Sequence, residues 1–226
     1  MRALFRDRRE AGLKLARNLF AYTRSPEVAV LGVPRGGVPI AFEIARALDL
    51  ALDVFVVRKL TAVAAGSDQR AVIGAVASGG VTVLDEEQIE RLALDRQAVD
   101  RQIVAELLEL DHREAMYRGR HTAVPLRSRT VVLVDDGLSS APVLRAAVNG
   151  VRMFEPSWIV LAAPVELLST CESMSGWADE VVWAVPPRRT NAEIWYDDAS
   201  EPHDEEVRAL LASSMTSGRD ISRQSL

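Results

Sequence analysis

Short apolar runs that begin and end abruptly constrain this chain more than any other feature. Val28–Val33, Asp53–Val57, Thr130–Val134, Trp158–Ala163 and Glu180–Val185 are each only a few residues long and mostly β-branched or aliphatic. They lack the polar alternation of a strand with one wet face, so they read as strands buried on both faces. Helical periodicity fills several intervals between them. Ala11, Leu15 and Leu19 recur at spacing four within Phe5–Ala21, and Pro39–Leu48 and Ser140–Val151 follow the same rule. Buried strands alternating with amphipathic helices predict a Rossmann-like α/β fold, a parallel sheet with helices on both faces. In such sheets a ligand binds beyond the carboxyl ends of the strands, where the strand order reverses. The residues following each run are therefore the candidates for chemistry.

After the third core run comes Asp135-Asp136-Gly137-Leu138-Ser139-Ser140. Two adjacent carboxylates at a strand end are not core residues. They can accept hydrogen bonds from vicinal hydroxyls such as those of a ribose, and they can attract Mg²⁺, a hard cation that prefers oxygen. The loop leads into a helix, whose free N–H groups and dipole favour a phosphate. The plainer alternative is that Asp135 ends a strand and Ser140 caps a helix. After the first run comes Pro34-Arg35-Gly36-Gly37. Its glycines permit close backbone approach or positive φ, and Arg35 offers planar donors to phosphate oxygens. Arg58 and Lys59 place two cations just past the second run, where the plainer reading is a solvated strand end.

Between these segments, Lys59–Asp68 is small and polar and reads as a mobile loop. Val72–Ala77 and Val81–Leu84, joined by Ser78-Gly79-Gly80, read as a hairpin. Asp85–Arg118 is a long charged helical pattern broken once. Its apolar residues Ile89, Leu92, Val99, Ile103, Leu107 and Leu110 pack on the domain or on a second subunit, and a homodimer is expected. From Ser213 onward the chain loses periodicity and reads as a disordered tail. The expectation is one domain over residues 1–212. Trp195, beside Tyr196, is a candidate wall of an acceptor pocket.

Net charge is −5 and the pI about 5.4, so a nucleic-acid partner is not expected. The single cysteine, Cys171, permits no internal disulfide and fits a reducing compartment. Met1–Phe20 has no apolar core of a secretory signal and no stretch reaches the length of a membrane span, so a cytoplasmic protein is expected. No G-x-G-x-x-G or G-x-x-x-x-G-K-[ST] run is present, which argues against dinucleotide and P-loop sites.

Val131–Gly137 (VVLVDDG) resembles the PRPP-binding motif of type I phosphoribosyltransferases, and Pro34–Gly37 resembles their pyrophosphate loop. Phe5–Gly12, Leu31–Pro39, Leu52–Leu60, Gly74–Gly80, Arg113–Gly119, Trp195-Tyr196 and Asp204–Val207 extend the resemblance to a bacterial subgroup of that family over nearly the whole chain. The resemblance implies transfer of ribose 5-phosphate from PRPP, with Mg²⁺, to a nitrogenous base. It implies that Asp135 and Asp136 hold the ribose hydroxyls and the magnesium that accompanies PRPP. Ser139, Ser140, Ala141, Pro142 and Val143 would wrap the 5′-phosphate, with Gly137 and Leu138 also among the ligand-binding residues. Arg35, Gly36 and Gly37 would bind pyrophosphate, with a non-proline cis peptide near Arg35. Arg58 and Lys59 would neutralise the leaving group, and Thr61–Arg70 would close over the site. A small hood from about 1–24 and 187–207 would choose the base.

The sequence departs from the family at ligand-contacting positions. Where the family reads Thr-Gly-x-Thr, this chain has Ser140-Ala141-Pro142-Val143. Ala141 adds a side chain, Pro142 lacks an N–H and Val143 lacks a hydroxyl. Arg70 stands where the subgroup has a glutamate, and Asp198-Ala199 where it has an aromatic. A second reading follows, a catalytically degenerate module of the same fold that binds a nucleotide or phosphosugar.

Overall fold

The computed structural model describes residues 3–63, 70–165, 176–185 and 195–217. Its main sheet has the order β2-β1-β6-β7-β8, formed by β1 (Val28–Gly32), β2 (Ala51–Val54), β6 (Thr130–Val134), β7 (Trp158–Ala163) and β8 (Glu180–Trp183). Every pairing in it is parallel, with Val30 opposite Val132 and Val132 opposite Val160. The strands were legible because both faces are covered. Val30, Val132 and Val160 point into one apolar cluster, while Ala29, Leu31, Val131, Leu133, Ile159 and Leu161 point into the other. This is the period-two alternation of a strand with no wet side.

On the first face lie α1 (Arg8–Asn18), α2 (Gly37–Leu48), α4 (Arg96–Arg118) and α6 (Asp204–Ser217), represented in the cluster by Leu15, Ile44, Leu110 and Val207. On the second lies α5 (Ala141–Arg152), through Leu144, Val148 and Val151. A separate antiparallel sheet, β3 (Val57–Val63), β4 (Arg70–Ala77) and β5 (Val81–Leu84), contains the expected hairpin. After it come α3 (Glu86–Arg91) and α4, so the long charged pattern is interrupted once, at residues 92–95. Ile89, Val99 and Leu110 of that pattern are buried, and Leu92, Ile103 and Leu107 pack against the same core. The apolar face is therefore used by the domain itself.

Two expectations are corrected. The second apolar run does not continue as one strand to Val57. The sheet strand β2 stops at Val54, and β3 begins at Val57, so Arg58 and Lys59 lie inside a strand of the second sheet rather than beyond a strand end. Thr61–Val63 and Arg70 are likewise paired strand residues, and only residues 64–69 of the expected closing loop lie outside the described residues. The expected tail starts too early as well. α6 runs to Ser217, held by Val207 and Leu211 in the core, and residues 218–226 lie outside the described residues.

The strand order places the reversal between β1 and β6. From β1 the chain moves outward to β2, then returns to lay β6 on the other side of β1. The crevice between the carboxyl ends of these two strands is where such a sheet receives a ligand.

Candidate active site

At that crevice the turn after β1 meets the acids after β6. The Pro34–Arg35 peptide is cis. Neither Gly36 nor Gly37 has a positive φ, so backbone strain is not why they are glycines. Close approach is the reason. A Cβ on Gly36 would sit 1.9 Å from Asp136 Oδ2, and one on Gly37 would sit 2.4 Å from the Val134 carbonyl oxygen. Glycine here lets the turn lie directly on the acid loop.

The acids are buried, at 2% exposure for Asp135 and 8% for Asp136. Gly137 adopts φ 82°, which a side chain would strain, and so reverses the chain. The reversal aims Gly137 N–H at Asp135 Oδ2 (2.8 Å) and Leu138 N–H at Asp136 Oδ1 (3.1 Å). Ser139 Oγ donates to Asp135 Oδ1 at 2.5 Å. Burial, with repulsion from Asp136 second, pushes the Asp135 carboxyl up to about 6, although the hydrogen bonds from its own loop pull the other way.

Ser140 is the N-cap of α5, but its side chain makes no capping bond. Its Oγ is buried and has no hydrogen-bond partner among the described residues. The Ser140 carbonyl accepts from Val143 N–H (3.0 Å) and Leu144 N–H (3.1 Å), so the Val143 amide is committed inside the helix. Pro142 falls in the first helical turn, where its missing donor costs the helix nothing. The first turn carries no acidic residue. What α5 can offer an anion is its dipole, the Ser140 hydroxyl and the Ser140 and Ala141 amides.

A cleft of about 240 Å³ gathers Arg35, Gly36, Gly37, Lys59, Asp135, Asp136, Leu138, Ser139 and Val143. Gly137, Ser140, Ala141, Pro142 and Arg58 do not line it. Strand alternation separates the two cations. Arg58 turns to α4, where its Nε donates to Glu106 Oε2 at 2.6 Å, while Lys59 faces the cleft with no ion-pair partner among the described residues. Arg35 pairs with Glu201, and that bond is the main reason its guanidinium holds its proton more tightly than usual.

Three residues of the site went unassigned in the sequence. Arg8, at the start of α1, reaches Asp136 and is only 7% exposed. Glu201 covers Arg35. Tyr196 donates its hydroxyl to the Asp136 carbonyl at 2.7 Å. The Phe5–Gly12 match and the Trp195-Tyr196 pair contained the first and third, but nothing in a linear reading brings them to the acid loop. Phe5 N–H bonds the Trp195 carbonyl (2.9 Å), and Phe5 and Tyr196 form a parallel bridge that carries residues 195–201 across the site. Trp195 does not line the cleft; it packs beside Phe5 and Tyr196.

Residues 9–185 match the family described as "Phosphoribosyl transferase domain". Two Mycobacterium tuberculosis proteins, each named "Putative phosphoribosyl transferase", are 37% identical to the chain over 92% of its length. The chain spans about half the length of these curated relatives, 46% of each. Among solved structures, a protein from Thermus thermophilus, TT1426, is 36% identical and superimposes with a TM-score of 0.72, covering 94% of this chain and 99% of that one.

Proposed function

Because the chain belongs to the phosphoribosyl transferase domain family, we propose that it transfers ribose 5-phosphate from PRPP to a nitrogenous base and releases pyrophosphate. The observation that carries this reading is the meeting of the Pro34–Gly37 turn with the Asp135–Asp136 loop at the reversal of the strand order. In the reaction the base nitrogen donates a lone pair to C1 of the ribose. The bond from C1 to the diphosphate oxygen breaks, its electron pair leaves with pyrophosphate, and the nitrogen loses its proton. Catalysis then consists of placing two anionic groups and stabilising charge on the one that leaves.

The acid loop holds the ribose hydroxyls. Arg35, the backbone of Gly36 and Gly37, and Lys59 receive the diphosphate. Leu138, Ser139 and Val143 in the cleft wall, with the start of α5 behind them, take the 5′-phosphate. Arg58 is left out of this machinery, since Glu106 holds it against α4. The donor set suits a hard cation shared with the ligand. Asp135 accepts bonds only from its own loop, and no cluster of three or more potential ligands occurs among the described residues. Magnesium arriving with PRPP would be held through Asp135 and the ligand's own oxygens, and would shield the diphosphate charge. The protein would work as a cytoplasmic homodimer, a state that sedimentation tests. No described helix is long and apolar enough to cross a membrane.

The altered phosphate loop favours a second reading, a phosphosugar- or nucleotide-binding module with reduced turnover. The Val143 amide is turned inward and Pro142 has none to give. Two lost charge-assisted bonds correspond to roughly a hundredfold or more in affinity. Calorimetry with PRPP and Mg²⁺ tests both. The transferase reading expects binding at submillimolar to millimolar PRPP, and pyrophosphate release abolished by combined Asp135→Asn and Asp136→Asn. No binding at millimolar PRPP refutes it. Combined Ala141→Gly, Pro142→Ala and Val143→Thr should tighten PRPP by about tenfold or more, and PRPP binding without turnover on any base selects the module.

A further inference from the structure

The two acids of the loop are not in equivalent surroundings. Asp135 bonds only to its own loop, through Gly137 N–H and the N–H and Oγ of Ser139. Asp136 is tied to three distant parts of the chain. Its Oδ2 accepts from Arg8 Nε (3.1 Å) and Nη2 (2.8 Å), and its main-chain carbonyl accepts from Tyr196. Gly36 lies so close that a Cβ there would reach Asp136 Oδ2 at 1.9 Å and Arg8 Nε at 3.0 Å. Leu138 N–H bonds Oδ1, and Asp136 still lines the cleft.

Arg8 has one further donor. Its Nη1 reaches the Ser200 carbonyl at 2.7 Å, and its guanidinium lies 5.3 Å from the Tyr196 ring centroid. One side chain therefore joins α1, the acid loop and the strand-like segment that crosses the site. A buried ion pair is weak evidence for stability, because apolar residues of similar size often serve a core as well or better. What the pair supplies here is geometry. A guanidinium fork fixes direction as well as distance, and it does so beneath the pyrophosphate turn.

We propose that Arg8 is the positioning residue of this site, clamping Asp136 and the 195–201 segment so that the acid loop is held in the orientation it presents to the ribose. The inference rests on the PRPP reading above. Through Asp136, the clamp holds the loop, the turn and the hood in register.

A double-mutant cycle on PRPP affinity tests this, with Mg²⁺ present, on the full chain at a temperature where circular dichroism shows each variant folded. Arg8→Gln is expected to weaken PRPP by roughly tenfold or more. Arg8→Lys, which keeps the charge but loses the fork, is expected to fall between Arg8→Gln and wild type. Because Arg8 acts through Asp136, Arg8→Gln combined with Asp136→Asn should bind no more weakly than the worse single variant. Wild-type-like PRPP binding by Arg8→Gln overturns the proposal, and so do losses that multiply in the double variant, since they would mean an independent ligand contact. Should Arg8→Gln not fold, Arg8→Lys decides alone: weakened PRPP binding supports the clamp and unchanged binding overturns it. If wild type itself binds no PRPP, the transferase reading fails and this role falls with it; a flat Arg8 series on a PRPP-binding wild type sinks the clamp only.

Discussion

Replacing Asp135 by asparagine should make the ligand-free protein more stable at neutral pH while removing its affinity for PRPP. Burial and the neighbouring Asp136 charge raise the Asp135 carboxyl from 3.8 to about 6. The folded state therefore binds this proton more tightly than the unfolded chain does. Stability contributed by the protonated group is fully present below the unfolded value of 3.8 and is lost as pH rises through about 6. At about 1.4 kcal/mol per pH unit, the ionised carboxylate costs the fold about 3 kcal/mol at pH 7 and above. Asparagine carries no charge, but its amide nitrogen must face either Gly137 N–H or the Ser139 hydroxyl. A displaced bond costs about 1–2 kcal/mol at any pH. The net gain at about pH 8 is then about 1–2 kcal/mol, turning to a loss near about pH 4. Comparing the two proteins at each pH cancels the titrating groups that do not interact with Asp135. Urea unfolding in EDTA between about pH 4 and pH 8 should show the stability difference swing by about 2–3 kcal/mol towards asparagine. A difference that stays level across that range would refute the account, because it would mean that the folded protein does not hold the Asp135 proton. Asp136→Asn is the internal contrast: it strands the buried Arg8 and should destabilise by about 3–5 kcal/mol.

The remaining predictions concern the groups around the acids. Glu201→Gln frees Arg35 from its partner and should tighten Mg²⁺-pyrophosphate binding by up to about fivefold in calorimetry, the scale of a half-exposed ion pair; weaker binding would show that Glu201 supports the turn rather than competing for it. Gly36→Ala drives a methyl into Asp136 Oδ2 and should lower unfolding stability by about 1–3 kcal/mol, with PRPP binding lost. Lys59→Ala should weaken PRPP by about threefold or more, whereas Arg58→Ala, removing a pair with Glu106, should leave PRPP affinity unchanged and cost at most about 1 kcal/mol. Equal losses in the two variants would show that the strand alternation does not separate them in solution.

The parts of this molecule that could be read from its sequence are those whose causes are local. β6 and β7 have the bounds their apolar runs predict, because a strand covered on both faces leaves an unbroken hydrophobic signature. The acid pair lies where its place after the third run put it, at the carboxyl end of β6 beside the reversal of strand order. The Arg58–Lys59 placement failed because Asp53–Val57 looks continuous. Nothing within it marks that Val54 closes one sheet and Val57 opens another. The tail failed because α6 is held by two core residues, Val207 and Leu211, too few to show a period against its polar surroundings.

Arg8 illustrates the opposite case. An arginine in the first turn of a charged helix reads as solvated, and it sits where the helix dipole disfavours a cation. Its burial follows from a partner 128 positions away, and its orientation from a bridge between Phe5 and Tyr196 that no short window contains. The same distance in sequence gives the residue its leverage. A contact among neighbours would stiffen one loop, but a guanidinium that bonds Asp136 on one side and Ser200 on the other makes the geometry of the acid loop depend on the chain segment crossing it. If the hood selects the base, a change of base that shifts residues 195–201 is felt at Asp136 and, through Gly36, at the pyrophosphate turn. The acid pair thus joins one carboxylate whose ionised form costs stability to another that the wider fold holds in place, so the loop's charge is set locally and its orientation from a distance.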